Sequence, residues 1–295
     1  MNPSTDYVVR EVLVHDVAAW LKFDPVARLG DDPEGVHQLR VNSRRLRAEL
    51  EIFSPIFKNG SRQPLRGELR WIGRILGSLR DLDVLEQLLV DSQVDEFPLE
   101  DALFDDLHER KRRERKRVGN ALASKRYSRL LRELTDLAIF PALSQSAQGP
   151  AHAILMPGLQ DSLTTLFELV NRSGPIPNDN ELHMIRIKSK QSRYCAEVSA
   201  KFLGKPAESV AADLAKVQGV LGDLHDRTVA IDYLMRHGSR TPSPEPDESS
   251  SFDLVLRQLS ESSEDLRRTW RAPMTRARRH STALFIDPES SAALA

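Results

Sequence analysis

One cysteine in 295 residues, Cys195, excludes an internal disulfide framework and a multi-cysteine zinc site, and fits a reducing compartment. Glycine is scarce, at 14 residues, and no alternating strand with hairpin turn chemistry is visible, which argues against a β-rich fold. Aromatics make up 6% of the chain, too few for recognition of single-stranded nucleic acid by stacking, although backbone binding stays open. No apolar run is long enough to span a bilayer, and MNPSTDYVVREVLVHDVAAWL lacks the basic-then-apolar layout of a signal peptide. A soluble, cytoplasmic protein with no membrane partner is expected. The formal net charge of −1 removes any whole-molecule argument for nucleic acid or acidic membranes.

What is present is charge, at 29% of residues, with Leu, Ala, Arg and Glu recurring at helical spacings. An all-α fold follows. Helices are expected over about 6–22, 34–54, 65–89, 99–125 and 127–139, then 159–170, 180–203, 207–235 and 252–280. Residues 143–158 read as a loop, and the Pro/Ser-rich stretch 238–251 reads as a mobile polar connection. Charge is segregated: ten acids and no Lys or Arg lie between Asp81 and Asp106, and RKRRERKR follows at 110–117.

Two segments repeat. VHQLRVNSRRLR around His37 matches LHMIRIKSKQSR around His183, which pairs Arg40 with Arg186, Arg44 with Lys190 and Arg47 with Arg193. LGSLRD matches LGDLHD at nearly the same offset, with Gly77 on Gly222 and Asp81 on Asp226. A duplicated unit implies two similar helical bundles, 6–150 and 151–285, related by a pseudo-two-fold axis within one domain spanning 1–295. Equivalent helices would then face each other across a shared groove.

At about 100° per residue, His37, Arg40, Arg44 and Arg47 fall within an arc of roughly 80°, with Leu39, Leu46, Leu50 and Phe53 nearly opposite. His183, Arg186, Lys190 and Arg193 share a second such face, continued by Lys201 and interrupted by Glu197. Stacked cations repel one another, so an anion is expected between them. Arg suits phosphate because its planar donors grip two oxygens, Lys adds a compact charge, and His a pH-dependent donor. Two stripes brought together would suit a long anion better than a small one.

Plainer readings stand beside this one. A lone basic helix face is usually a solvated, ion-paired surface. That reading is applied to RKRRERKR and to the C-terminal arginines Arg267, Arg268, Arg271, Arg276, Arg278 and Arg279. His15, His108, His152 and His280 read as structural, and Asp81 and Asp226 as groups that orient Arg or His side chains. A metal at His37 or His183 is disfavoured because Arg side chains crowd both. Phosphohistidine chemistry would need a nucleotide site, and no P-loop is found.

VHQLRVNSRRLR with LGSLRDLDVL, and LHMIRIKSKQSRY with LGDLHD, together resemble the CHAD family, the conserved histidine α-helical domain. The resemblance implies two four-helix bundles around a basic central cavity that binds inorganic polyphosphate. It implies a ligand set of His37, Arg40, Arg44, Arg45, Arg47, His183, Arg186, Lys190 and Arg193. No cofactor and no catalysis are implied, and polyphosphate granules are where such a binder would associate. Gln191 stands where a basic residue is often found, and Gly219 gives Arg74 no basic counterpart. Some relatives carry a triphosphate-processing tunnel domain with an E-x-E-x-K signature. ELEIF at 49–53 is not one, so a stand-alone binding module is expected.

Overall fold

The structure is a computed structural model that describes residues 3–58, 63–92, 101–238 and 251–285. Of the polar connection expected over 238–251, residues 239–250 lie outside the described residues, and Gly238 and Ser251 belong to flanking helices. The described residues form ten α-helices: α1 (Thr5–Leu29), α2 (Pro33–Ile52), α3 (Gln63–Asp91), α4 (Asp101–Leu122), α5 (Lys125–Ile139), α6 (His152–Arg172), α7 (Asp179–Leu203), α8 (Lys205–Gly238), α9 (Ser251–Thr269) and α10 (Arg271–Phe285). Among the described residues, extended pairing is confined to the isolated bridges Ser4–Pro150 and Phe57–Leu143. The fold is all-α.

Helix starts and stops follow local chemistry. Ser4 caps α1 through Tyr7 N–H, and Asp32 caps α2 with Pro33 in its first turn. Asn178 and Glu181 close a reciprocal capping box on α7. Gly30, at φ 76°, ends α1 in the left-handed conformation that a side chain resists.

The expected boundaries change in three places. α1 runs through Pro25 to Leu29, well past position 22, and α6 begins at His152 inside the expected loop, passing through Pro157. The single helix expected over 252–280 is two, broken at Trp270. Pro273 explains the break: it has no N–H for the carbonyl four residues earlier, and its ring would collide with that carbonyl. Of the described helices, α1–α5 precede residue 150 and α6–α10 follow it.

Three apolar clusters hold these helices. The first is built from α1–α5, the start of α6 and Val198 of α7, and includes Leu39, Leu46 and Leu50, fully buried on the face of α2 opposite its cations, and Phe53 just past its end. In α1, Val9, Val12, Leu13, Val17 and Trp20 are buried as their spacing requires, but Leu21 is exposed. The second cluster joins α6, α7, α8 and α10 around Leu166, Ile185, Leu214 and Trp270. The third joins both halves, with Leu85 and Leu89 of α3, Leu107 of α4, Leu234 of α8 and Leu259 of α9. Between the halves α2 packs on α7 and α3 on α8. The helices that carry the matched motifs thus meet their own counterparts.

Candidate functional site

The contact of α2 with α7 brings the two cationic faces together. Arg44 is half-buried, and burial, then Arg40, push its guanidinium down to about 10, with Arg186 acting in the same sense. Lys190 is buried to a similar degree; burial, then Arg186, Arg44 and Arg40, push its ammonium down to about 7. Arg186 is lowered by burial and by Arg40 across the interface. Arg40, Arg44, Arg186 and Lys190 therefore form one cluster fed equally by the two helices.

Two carboxylates stand at its edge. Asp81 of α3 accepts from Arg40 Nη1 at 2.7 Å, and the same nitrogen donates to the Gly77 carbonyl at 3.2 Å. Asp226 of α8 offsets Arg186 and Lys190, while its own carboxyl is pushed up by burial, against the pull of Arg186. Asp81 thus orients Arg40, while Asp226 offsets Arg186 and Lys190 by charge alone. Four cations against two carboxylates leave an excess of positive charge. Arg40 Nε and Arg186 Nε are buried without a hydrogen-bond partner.

The histidines stand at one end. His37 is lowered by burial and then by Arg80. His183 lies 5.7 Å from the His225 ring, centroid to centroid, and burial followed by Arg186 lowers His225. Arg80 and His225 occupy matched positions in LGSLRD and LGDLHD, so each stripe histidine faces its equivalent residue on the next helix. Neither Arg80 nor His225 was singled out from the sequence, although the motif alignment already placed them in register. A cavity of about 470 Å³ opens beside this end, lined by Arg80, Asp83, Arg115, Asp226 and Arg227 among others.

Three residues of the expected set sit elsewhere. Arg45, about 100° around α2 from Arg44, points to the seam with α1 and α7, donating to Glu197 at 2.8 Å and lying 3.6 Å from Asp16. Arg193 lies 3.5 Å from the same Glu197 and stacks on Tyr194. Fully buried Glu49 borders this seam, its carboxyl pushed well up by burial and by a hydrogen bond with Asp16. Arg47 faces α3, where burial, then Arg70 and Arg66, lower its guanidinium. Lys201 pairs with Glu11 at 3.1 Å.

The other basic runs are largely ion-paired. In α4, Arg110 meets Asp106, Lys111 meets Asp83 at 2.9 Å and also Glu86, and Arg117 meets Glu114, while Arg115 reaches the cavity wall. Arg267 pairs with Asp179 and Arg276 with Asp213, and Arg278 donates to the Phe167 carbonyl. Cys195 is buried, and burial pushes its thiol up to about 12, far from a thiolate at neutral pH. Among the described residues no group of three or more His, Cys, Asp or Glu side chains is placed to hold a metal ion. No described helix is long and apolar enough to cross a membrane.

The family model described as "CHAD domain" matches residues 11–235. The curated relatives matched include the uncharacterized proteins MT2285 and Rv2226 of two Mycobacterium tuberculosis strains, each 28% identical over 244 residues. That match takes in 80% of this chain and 46% of each relative, so the chain spans less than half the length of these relatives. Among solved structures, PptA from Streptomyces chartreusis superposes with a TM-score of 0.68 at 19% identity, covering 94% of this chain and 100% of that one. The CHAD domain from the plant Ricinus communis superposes with a TM-score of 0.70 at 22% identity, covering 94% and 92%.

Proposed function

We propose that this chain, which belongs to the CHAD domain family, binds inorganic polyphosphate at the cationic cluster between α2 and α7, without catalysing its turnover. The observation that carries the reading is the convergence of Arg40, Arg44, Arg186 and Lys190 from matched motifs, with Asp81 and Asp226 as the carboxylates that offset them among the described residues. A buried cation excess raises the energy of the empty site, and an anion that supplies the missing charge relieves it. Guanidinium donors left without partners are suited to phosphate oxygens, which accept from several directions.

His37 and His183 belong to this reading as phosphate contacts at the end where Arg80 and His225 stand. Arg45 and Arg193 hold the seam between the halves through Glu197 and orient the helices that carry the cluster.

Titration with long-chain polyphosphate at several salt concentrations tests the proposal. Six or so phosphate contacts give a log–log slope of about −4, at about 0.7 per contact for a flexible single-stranded polyanion. The combined Arg40→Gln, Arg44→Gln, Arg186→Gln and Lys190→Gln variant should lose most of the affinity and most of the slope. No binding by the parent protein at low salt, or unchanged affinity in the variant, would sink it. RNA competing equally for the same site would assign the cluster to nucleic-acid backbone instead.

A further inference from the structure

α2 and α3 run antiparallel in constant register. His37 faces Arg80, Arg40 meets the Gly77 carbonyl, and Ser43 lies so close to Gly73 that a Cβ there would stand 2.8 Å from Ser43 Oγ. Arg47 faces Arg70 and Arg66, and Glu51 meets Arg66 at 2.6 Å. As α2 climbs from 37 to 51, α3 descends from 80 to 66, so these contacts form one continuous row. Arg74, exposed and one turn from Arg70, flanks that row next to Gly73.

Beyond the central cluster the row is still basic. Arg47, Arg66, Arg70 and Arg74 offer four guanidinium groups, and Glu51 is the one carboxylate that the register sets among them. Arg66 Nε is buried without a hydrogen-bond partner, while Arg70 and Arg74 are exposed.

The second half does not repeat this. The same register along α7 and α8 starts from His183 against His225 and sets Ala215 opposite Arg193 and Ala211 opposite Glu197. Gly219 stands where the first half has Arg74. Arg193, the counterpart of Arg47, is taken up by Glu197 and the Tyr194 ring. The basic row therefore leaves the centre on one side.

From this one-sidedness we infer that Arg47, Arg66, Arg70 and Arg74 form a second, first-half-only subsite, which holds the continuing phosphates of a polyphosphate chain anchored at the centre. The inference rests on the binding reading above and adds the direction in which the chain runs. A short anion satisfies the centre alone, whereas a long one gains the arm as well. Affinity should therefore rise with chain length through residues that lie outside the matched cluster.

The test compares tripolyphosphate with long-chain polyphosphate on the intact protein, with Arg70→Gln/Arg74→Gln as the variant. Both side chains are exposed, so folding is not at stake. The variant should weaken long-chain binding roughly five- to tenfold, flatten the salt slope by about 1.4 for two lost contacts, and leave tripolyphosphate unchanged. Lys216→Gln, which removes an exposed cation beside Ala215, should change neither. Equal losses for both ligands, or an unchanged long-chain affinity and slope, would overturn the arm while leaving the central site standing. Failure of the parent protein to bind either ligand would instead overturn the binding reading itself.

Discussion

Lys190 is the residue at which an anion's effect is easiest to read. Burial, then Arg186, Arg44 and Arg40, outweigh Asp226 and hold its ammonium at about 7, below the usual 10.5. A bound polyanion reverses the sign of that environment and draws the pKa back up. Binding at pH 8 should therefore take up close to one proton, seen as a buffer-dependent heat in calorimetry and absent in Lys190→Met. Folding shows the same linkage. Between pH 7 and 10.5 the unfolded chain binds more protons at this lysine than the folded one, so stability of the empty protein rises with pH across that window. Melting temperatures at pH 7 and pH 9 should differ more in the parent than in Lys190→Met. Saturating polyphosphate should remove the difference between the two proteins.

At the scale of the helix, the seam of α2 and α7 depends on Glu197, which serves Arg45 and Arg193 together. Glu197→Gln takes the counter-charge from Arg193 and the nearer of two carboxylates from Arg45, which keeps Asp16 at 3.6 Å. It should cost about 1–2 kcal/mol, less than a fully buried pair because all three side chains keep some solvent contact. Chemical denaturation checks this, and a midpoint unchanged from the parent would show the seam to be held elsewhere. The faces of α2 were legible in the sequence because periodicity alone separates Leu39, Leu46 and Leu50 from Arg40 and Arg44. The meeting of α2 with α7 was legible too, since the repeat paired them. What periodicity does not encode is which distant carboxylate an intermediate position reaches, so Arg45 joined the ligand set by resemblance but lies on Glu197. The break before α10 has a local signal in Pro273, set within an otherwise helical pattern. Pro25 and Pro157, by contrast, lie inside continuous helices, because tertiary packing of the flanking turns outweighs one missing hydrogen bond.

For the whole molecule, a net charge of −1 conceals a basic centre offset by acids placed on other faces. The first cluster lies mostly in α1–α5 and the second in α6–α10, and the third, shared by the tips of α3, α4, α8 and α9, couples them. Leu89 and Leu234 are both fully buried there, one from each half. Truncating a buried leucine typically costs about 2–5 kcal/mol, so Leu89→Ala/Leu234→Ala should weaken the coupling more than either core. Calorimetry is expected to show one unfolding transition in the parent and two in the variant. A polyanion held by α2 and α7 together binds only when both halves are folded, and at a hundredfold excess over Kd it adds about 2.7 kcal/mol to that state. Saturating long-chain polyphosphate should therefore draw the two transitions of the variant back into one at higher temperature. High salt, which screens the contacts with the ligand and not the apolar cluster, should separate them again. If polyphosphate raises only one of the two transitions, the ligand engages a single half and the shared cluster of α2 and α7 is not its site.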